Sequence, residues 1–220
     1  MMAVVPQFPS RLRDVPLVIW VILIADSLPE LVLEGAGAGL WGSPRWRDLA
    51  YSWAGFWPGL LHNWQPNYPS QALAMFVTYG FVHLGITHLL GNMLVLVWLG
   101  LPVVSRVGSG RFLMIYFMSM IGGGLGYALL SSGLTPMVGA SGALFGLAGA
   151  WVAWEYVDRF TAGQMLWPVL RIVALLAALN LVSWWATGGH LAWQTHLGGF
   201  VAGWIAALLA DPRPRPGEAP

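Results

Sequence analysis

Two residues of this chain have the makings of an acyl-transfer pair. Ser141 lies in Gly139-Ala140-Ser141-Gly142, and His196 lies in Thr195-His196-Leu197-Gly198-Gly199. A serine hydroxyl is a weak nucleophile until a base takes its proton. An imidazole is the usual base, because it is mostly neutral at pH 7. Attack on an amide builds an oxyanion that needs donors already in place. His88 and Asn92 are four residues apart, so they share a helix face, and they offer an imidazole N–H and an amide NH2. The backbone N–H of Ser141, at a helix N-terminus, would be a third donor. A third cluster member, His83, precedes His88 by five residues.

The elements that must hold these groups are helices in lipid. The chain has 220 residues, 57% hydrophobic and 9% charged, with a mean hydropathy of +0.67. A water-soluble domain carries about 25% charged residues. A helix crosses the hydrocarbon with roughly 20 apolar residues. Six stretches qualify as expectations: 15–33, 86–104, 112–130, 140–156, 167–185 and 191–209. The first is the weakest, since Asp26 and Glu30 interrupt it; it reads as an uncleaved anchor, because no small-x-small cleavage site follows. The fold class is therefore all-α, a polytopic bundle of six transmembrane helices. Fourteen tryptophans suit the membrane–water interface.

The ten basic residues are all arginines. With the N-terminus in the cytoplasm, Arg11, Arg13, Arg106, Arg111, Arg159, Arg171, Arg213 and Arg215 fall on the cytoplasmic side, and only Arg45 and Arg47 outside. The positive-inside rule selects that orientation. Residues 1–14 are then a cytoplasmic segment, 15–210 the membrane domain, and 211–220 a proline-rich cytoplasmic tail expected to be disordered. The stretch of about 34–83 is too long for a simple connection. With its tryptophans it is either an outer loop in the interface or a small folded cap.

This topology runs the second, fourth and sixth helices from outside to inside. His88, Ser141 and His196 then all lie near helix starts, at similar depth in the outer half of the membrane. Gly142 and Gly146, and Gly199 and Gly203, form small-x-x-x-small pairs that let helix backbones approach closely. Such glycines are common in ordinary helix packing, but here one pair shares a stripe with His196. Of the nine acids, only Glu155 and Asp211 touch these three helices, at their far ends. The pattern is a dyad without an acidic third member.

These segments resemble the rhomboid family of intramembrane serine proteases. The resemblance rests on His88-x3-Asn92, Gly139-Ala140-Ser141-Gly142 and His196-x2-Gly199-x3-Gly203, and extends over about 79–209, with a glycine-arginine turn at 107–111. It implies a six-helix core with Ser141 as nucleophile and His196 as general base. His88, Asn92 and the Ser141 amide would form the oxyanion hole. Substrates would be transmembrane proteins cut near the outer face. The chain departs from many members in three places. Ala74-Met75 replaces a Trp-Arg pair, Val104 replaces a glutamate, and Phe145 replaces a tyrosine that stacks on the catalytic histidine.

Other classes are weaker fits. No cysteine is present, which excludes disulfides and thiol chemistry. Scattered arginines give no nucleic-acid surface. No metal or other cofactor is expected, since His83, His88 and His196 lack the companion ligands of a zinc motif. His83 reads equally well as a structural hydrogen-bonder, and His62 and His190 as loop residues. Ser119 and Ser183 suit bonds to helix carbonyls. A transporter would show inverted repeats, and none is visible. A silent relative that binds transmembrane clients typically lacks the serine or the histidine, and both are here. Arginine use without lysine, with a bias to alanine, glycine and leucine, points to a GC-rich bacterium, and the expected location is its inner membrane. Oligomeric state and substrate leave no trace in the sequence.

Overall fold

The computed structural model describes residues 14–131 and 134–211. Expectations for the arginines at 11, 13, 213 and 215, and for nearly all of the two terminal segments, fall outside those residues. Among them the fold is all-helical, with no strand. Seven α-helices follow in order: α1 (Leu17–Gly37), α2 (Trp46–Ala54), α3 (Gln71–Thr78), α4 (Ile86–Leu130), α5 (Ser141–Thr161), α6 (Trp167–Ala186) and α7 (Trp193–Ala210).

The turn expected at 107–111 is a break at one residue. α4 keeps helical dihedrals except at Gly108, where it kinks with a φ of 76° and a ψ of 167° that no helix accepts. A positive φ is inexpensive only for glycine. The two arms of α4, before and after Gly108, take the places of the second and third expected helices.

The other long helices start and stop close to expectation, but their composition differs from it. Among the described residues only α4 and α6 are long and apolar enough to cross a membrane on that ground alone. α1 carries Asp26, Glu30 and Glu34; α5 ends in Glu155, Asp158 and Arg159; α7 is 18 residues long with three glycines. Part of the surface of each of these helices meets protein. Asp26 and Glu30 are fully buried, as are Leu147, Ala150 and Ala153 of α5.

The outside of the bundle is apolar. Leu197, Val201, Ile205 and Leu208 make an exposed stripe on α7, and Leu17, Val21, Ile24, Leu28 and Leu31 make another on α1. Stripes of this size are aggregation-prone in water but match hydrocarbon.

The core is the mutual packing of α4, α5 and α7, with α1 laid against α4. Glycines set its spacing. A Cβ on Gly199 would run into the carbonyl of Gly142, and one on Gly203 into the carbonyl of Gly146. A second set, absent from the expectations, lies on the other flank of α7. A Cβ on Gly198 would strike the Gly122 carbonyl, and one on Gly126 would come 2.5 Å from the Gln194 carbonyl. α7 is thus wedged between α5 and the second arm of α4, backbone against backbone.

The connection from α1 to α4 is a folded cap rather than a loose loop. Gln71 is buried: its Nε2 donates to the Ser52 carbonyl (2.7 Å), and its Oε1 accepts from the Asn67 N–H (2.7 Å). Thr78 Oγ1 donates to the Ala54 carbonyl (2.8 Å). Arg47, on α2, reaches Glu30 (2.8 Å) and Glu34 (3.0 Å) of α1, and donates to the His83 carbonyl (3.2 Å). This cation ties the cap to α1 and to the strip of chain just before His88.

Candidate active site

Three helix beginnings meet at one place. Ser141 is the first residue of α5, His196 the fourth of α7, and His88 the third of α4. The strip leading into α5 is fixed from both sides. Phe56 and Met137 exchange backbone hydrogen bonds of 2.9 and 3.0 Å, and the Gly139 N–H donates to the Tyr79 carbonyl at 2.9 Å. Tyr79 is itself anchored, its hydroxyl donating to the Met120 carbonyl at 2.8 Å. Gly139 has φ 117°, which glycine tolerates and other residues rarely do. The cap therefore does structural work at the site: it carries Phe56 and leads into Tyr79.

Ser141 Oγ stands 2.8 Å from His196 Nε2. Phe145, one turn further along α5, stacks on the imidazole with ring centroids 4.1 Å apart and planes 6° from parallel. The ring is thus held by packing on its face and by the serine at one nitrogen. Its other nitrogen, Nδ1, lies 2.9 Å from Oδ1 of Asn180 on α6. No reading of the motifs reached Asn180. The signal was available: an amide inside an apolar 20-residue helix is costly unless it is used.

His88 and Asn92 face the same point. A Cβ on Gly139 would lie 2.6 Å from His88 Cε1, 3.1 Å from His88 Nε2 and 3.6 Å from Asn92 Nδ2. The bare glycine therefore leaves a small space beside Ser141 that both side chains border. The Leu84 N–H donates to His88 Nδ1 (3.3 Å), so the neutral ring carries its proton on Nε2, on the side of that space. Asn92 Nδ2 is buried and has no hydrogen-bond partner. A buried amide donor left open beside a nucleophile is what a developing oxyanion would use.

His83 sits behind this group rather than in it. Its ring is buried, meets His88 edge-on at a centroid distance of 5.3 Å, and has neither nitrogen hydrogen-bonded. Its carbonyl, held by Arg47 and Tyr51, is the part that is used. Gly142, Gly146, Gly199 and Gly203 bring the α5 and α7 backbones together, as described above. Ser119 bonds to the Ile115 carbonyl, in line with its reading as a helix bonder. Among the described residues no cluster of three metal-ligating side chains is found.

The chain matches the family profile of the Rhomboid domain over residues 70–212. It belongs to the rhomboid family. The matched stretch includes His88, Asn92, Ser141, Phe145, Asn180 and His196. Among rhomboid relatives, it is similar to RHOMBOID-like protein 1 of Arabidopsis thaliana, with 34% identity over 140 residues, 62% of this chain and 34% of that one. It is likewise similar to the rhomboid protease GluP of Bacillus subtilis (strain 168), with 34% identity over 126 residues, 57% of this chain and 24% of that one. A mouse protein, rhomboid-related protein 2, is 26% identical over 160 residues, 63% of this chain and 51% of that one. The similarity thus spans about a quarter to a half of the length of these rhomboid relatives.

Proposed function

We propose that this chain is an intramembrane serine endopeptidase in which Ser141 attacks the peptide carbonyl and His196 is the general base. The observation that carries the reading is the 2.8 Å approach of Ser141 Oγ to His196 Nε2, under the stacked Phe145 ring. The similarity to a rhomboid protease supports it.

In this mechanism the Ser141 hydroxyl proton passes to Nε2 as Oγ bonds to the substrate carbonyl carbon. The carbonyl oxygen becomes an oxyanion beside Gly139. His88 Nε2–H, Asn92 Nδ2–H and the Ser141 backbone N–H donate to it. Collapse expels the amine, which takes the proton back from His196. Water, deprotonated by the same imidazole, then attacks the acyl carbon; the bond to Ser141 Oγ breaks, and His196 returns its proton to Oγ as the acid leaves.

The substrate class is transmembrane proteins, presented within the bilayer. The chain crosses six times, the two arms of α4 counting as two, with both termini in the cytoplasm and the site in the outer half of a bacterial inner membrane. The cap between α1 and α4 then lies outside. No cofactor takes part.

Purified protein should cut a single-pass transmembrane reporter, and Ser141→Ala should not. Cutting by that variant would overturn the assignment. Reporter fusions to the C-terminus should read cytoplasm and fusions within 41–69 should read outside; the reverse would remove the topology.

A further inference from the structure

α6 is attached to the rest of the bundle by very little. Val169 is its one buried residue among those described, and Ile172, Leu176, Asn180 and Ser183 form a half-buried stripe along the same face. Asn180 is the polar group of that stripe that reaches another helix, through the 2.9 Å contact between its Oδ1 and His196 Nδ1. A carboxamide in an apolar helix that meets lipid elsewhere has a desolvation cost, which this contact offsets.

We infer that Asn180 is a positioning residue for the Ser141–His196 reaction, fixing both the tautomer and the orientation of the His196 ring. The inference rests on the catalytic reading above and deepens it. Neutral imidazole carries one proton. If Nε2 held it, the nitrogen facing Ser141 would be a donor and could not accept the serine proton. Asn180 Oδ1 is an acceptor, so it draws the proton to Nδ1 and leaves the Nε2 lone pair for Ser141. When Nε2 gains its proton, the Nδ1–H bond to Oδ1 remains and strengthens, because the donor is then charged. Phe145 restrains tilt out of the ring plane; Asn180 restrains rotation within it, since a plane-on-plane stack leaves that rotation free. The three groups form a serine–histidine–asparagine line drawn from α5, α7 and α6. The third member is an amide where the sequence offers no acid.

The bond also makes α6 part of the catalytic apparatus. The serine and histidine sit on helices locked backbone to backbone, and the orienting oxygen sits on a helix seated by a single stripe. A displacement of α6 by about 1 Å at Asn180 would lengthen the contact beyond hydrogen-bond reach while leaving Ser141 and His196 where they are.

The test uses the full chain in detergent or proteoliposomes with a transmembrane reporter. Asn180→Leu has nearly the same shape and no acceptor. It should lower kcat at least about 10-fold, the lower end seen for outer partners of metal-bound histidines, and up to about 10⁴-fold if the wrong tautomer takes over. KM should change less than about threefold, because substrate does not touch Asn180. The melting temperature should stay level or rise, since leucine suits an apolar helix better. Asn180→Asp keeps an acceptor at the same reach and should recover most of kcat. Asn180→Ala repeats the leucine test should the larger side chain not fit. Wild-type kcat in both Asn180→Leu and Asn180→Ala overturns the inference, as does equal loss in Asn180→Asp and Asn180→Leu with all variants folded. If wild type does not cut, or Ser141→Ala still cuts, the catalytic reading itself fails and takes this inference with it.

Discussion

α7 and α6 both touch the same imidazole, and they are built on opposite plans. α7 carries His196 and is wedged by Gly198, Gly199 and Gly203 against α4 and α5, with no room for a methyl group at these positions. α6 carries Asn180 and buries one residue outright. The apolar surface of α6 is exposed on most of its circumference, while the buried faces of α5 and α7 are rich in glycine and alanine. The contrast shows how little hydrophobicity says about which helix matters. Among the described residues α6 is one of the two helices long and apolar enough to cross a membrane, and α7 is not. Ser141 and His196 sit where backbones are pressed together, as a hydroxyl needs to reach a nitrogen to within about 3 Å.

The sharpest way to break this contrast is to overfill the wedge. Gly199→Leu places a side chain where the Gly142 carbonyl already is. Overpacking by a few methylenes costs about 1–3 kcal/mol even where neighbours can shift, and a backbone carbonyl cannot. Loss of the folded, monodisperse protein and of all cleavage is expected, read by size-exclusion and thermal melt. A folded, active Gly199→Leu would mean that α7 is not locked in this way.

The next effect is chemical. Asn92→Ala removes a buried donor that has no partner before reaction. It should cut kcat about 10²–10³-fold, or roughly 3–4 kcal/mol, with KM little changed and the fold intact. Full activity would make Asn92 structural and leave the oxyanion to His88 and the Ser141 amide. His196→Ala should be more damaging than Asn92→Ala, because the proposed general base is lost.

The smallest effects compare truncations on the two kinds of helix. Leu147→Ala, on the buried face of α5, should cost about 2–5 kcal/mol of stability. Leu176→Ala, on the half-buried stripe of α6, should cost less than about 1.5 kcal/mol, because the site is open on one side and fewer contacts are lost. Equal losses, measured by thermal or denaturant melts in one detergent, would remove the distinction between the two helices.

Much of this arrangement was legible beforehand, and what was missed shares a cause. Ser141, His88, Asn92 and His196 stood out because each is polar in an apolar run and sits in a motif with glycines at fixed spacing. The α5–α7 glycines were visible as a four-residue repeat. The α4–α7 glycines were not, because Gly122 and Gly126 sit in a glycine-rich stretch whose partner helix only the fold reveals. Asn180 has no motif around it, and only its distance to His196 gives it meaning. The first helix looked interrupted by Asp26 and Glu30; in the structure Glu30 meets Arg47 from the cap, a pairing across 17 residues that no periodicity encodes. The break at Gly108 was expected as a five-residue turn, since sequence marks glycine without fixing its φ.

The central claim is that Ser141 is an activated nucleophile, and it can be read on the residue itself. Purified wild type is treated with a fluorophosphonate, digested, and the adduct located by mass spectrometry, beside His196→Ala. One modified residue, Ser141, is expected, with labelling reduced by at least about 10²-fold in His196→Ala. A wild-type protein that is folded yet unlabelled at Ser141, or labelled equally well without His196, would contradict it.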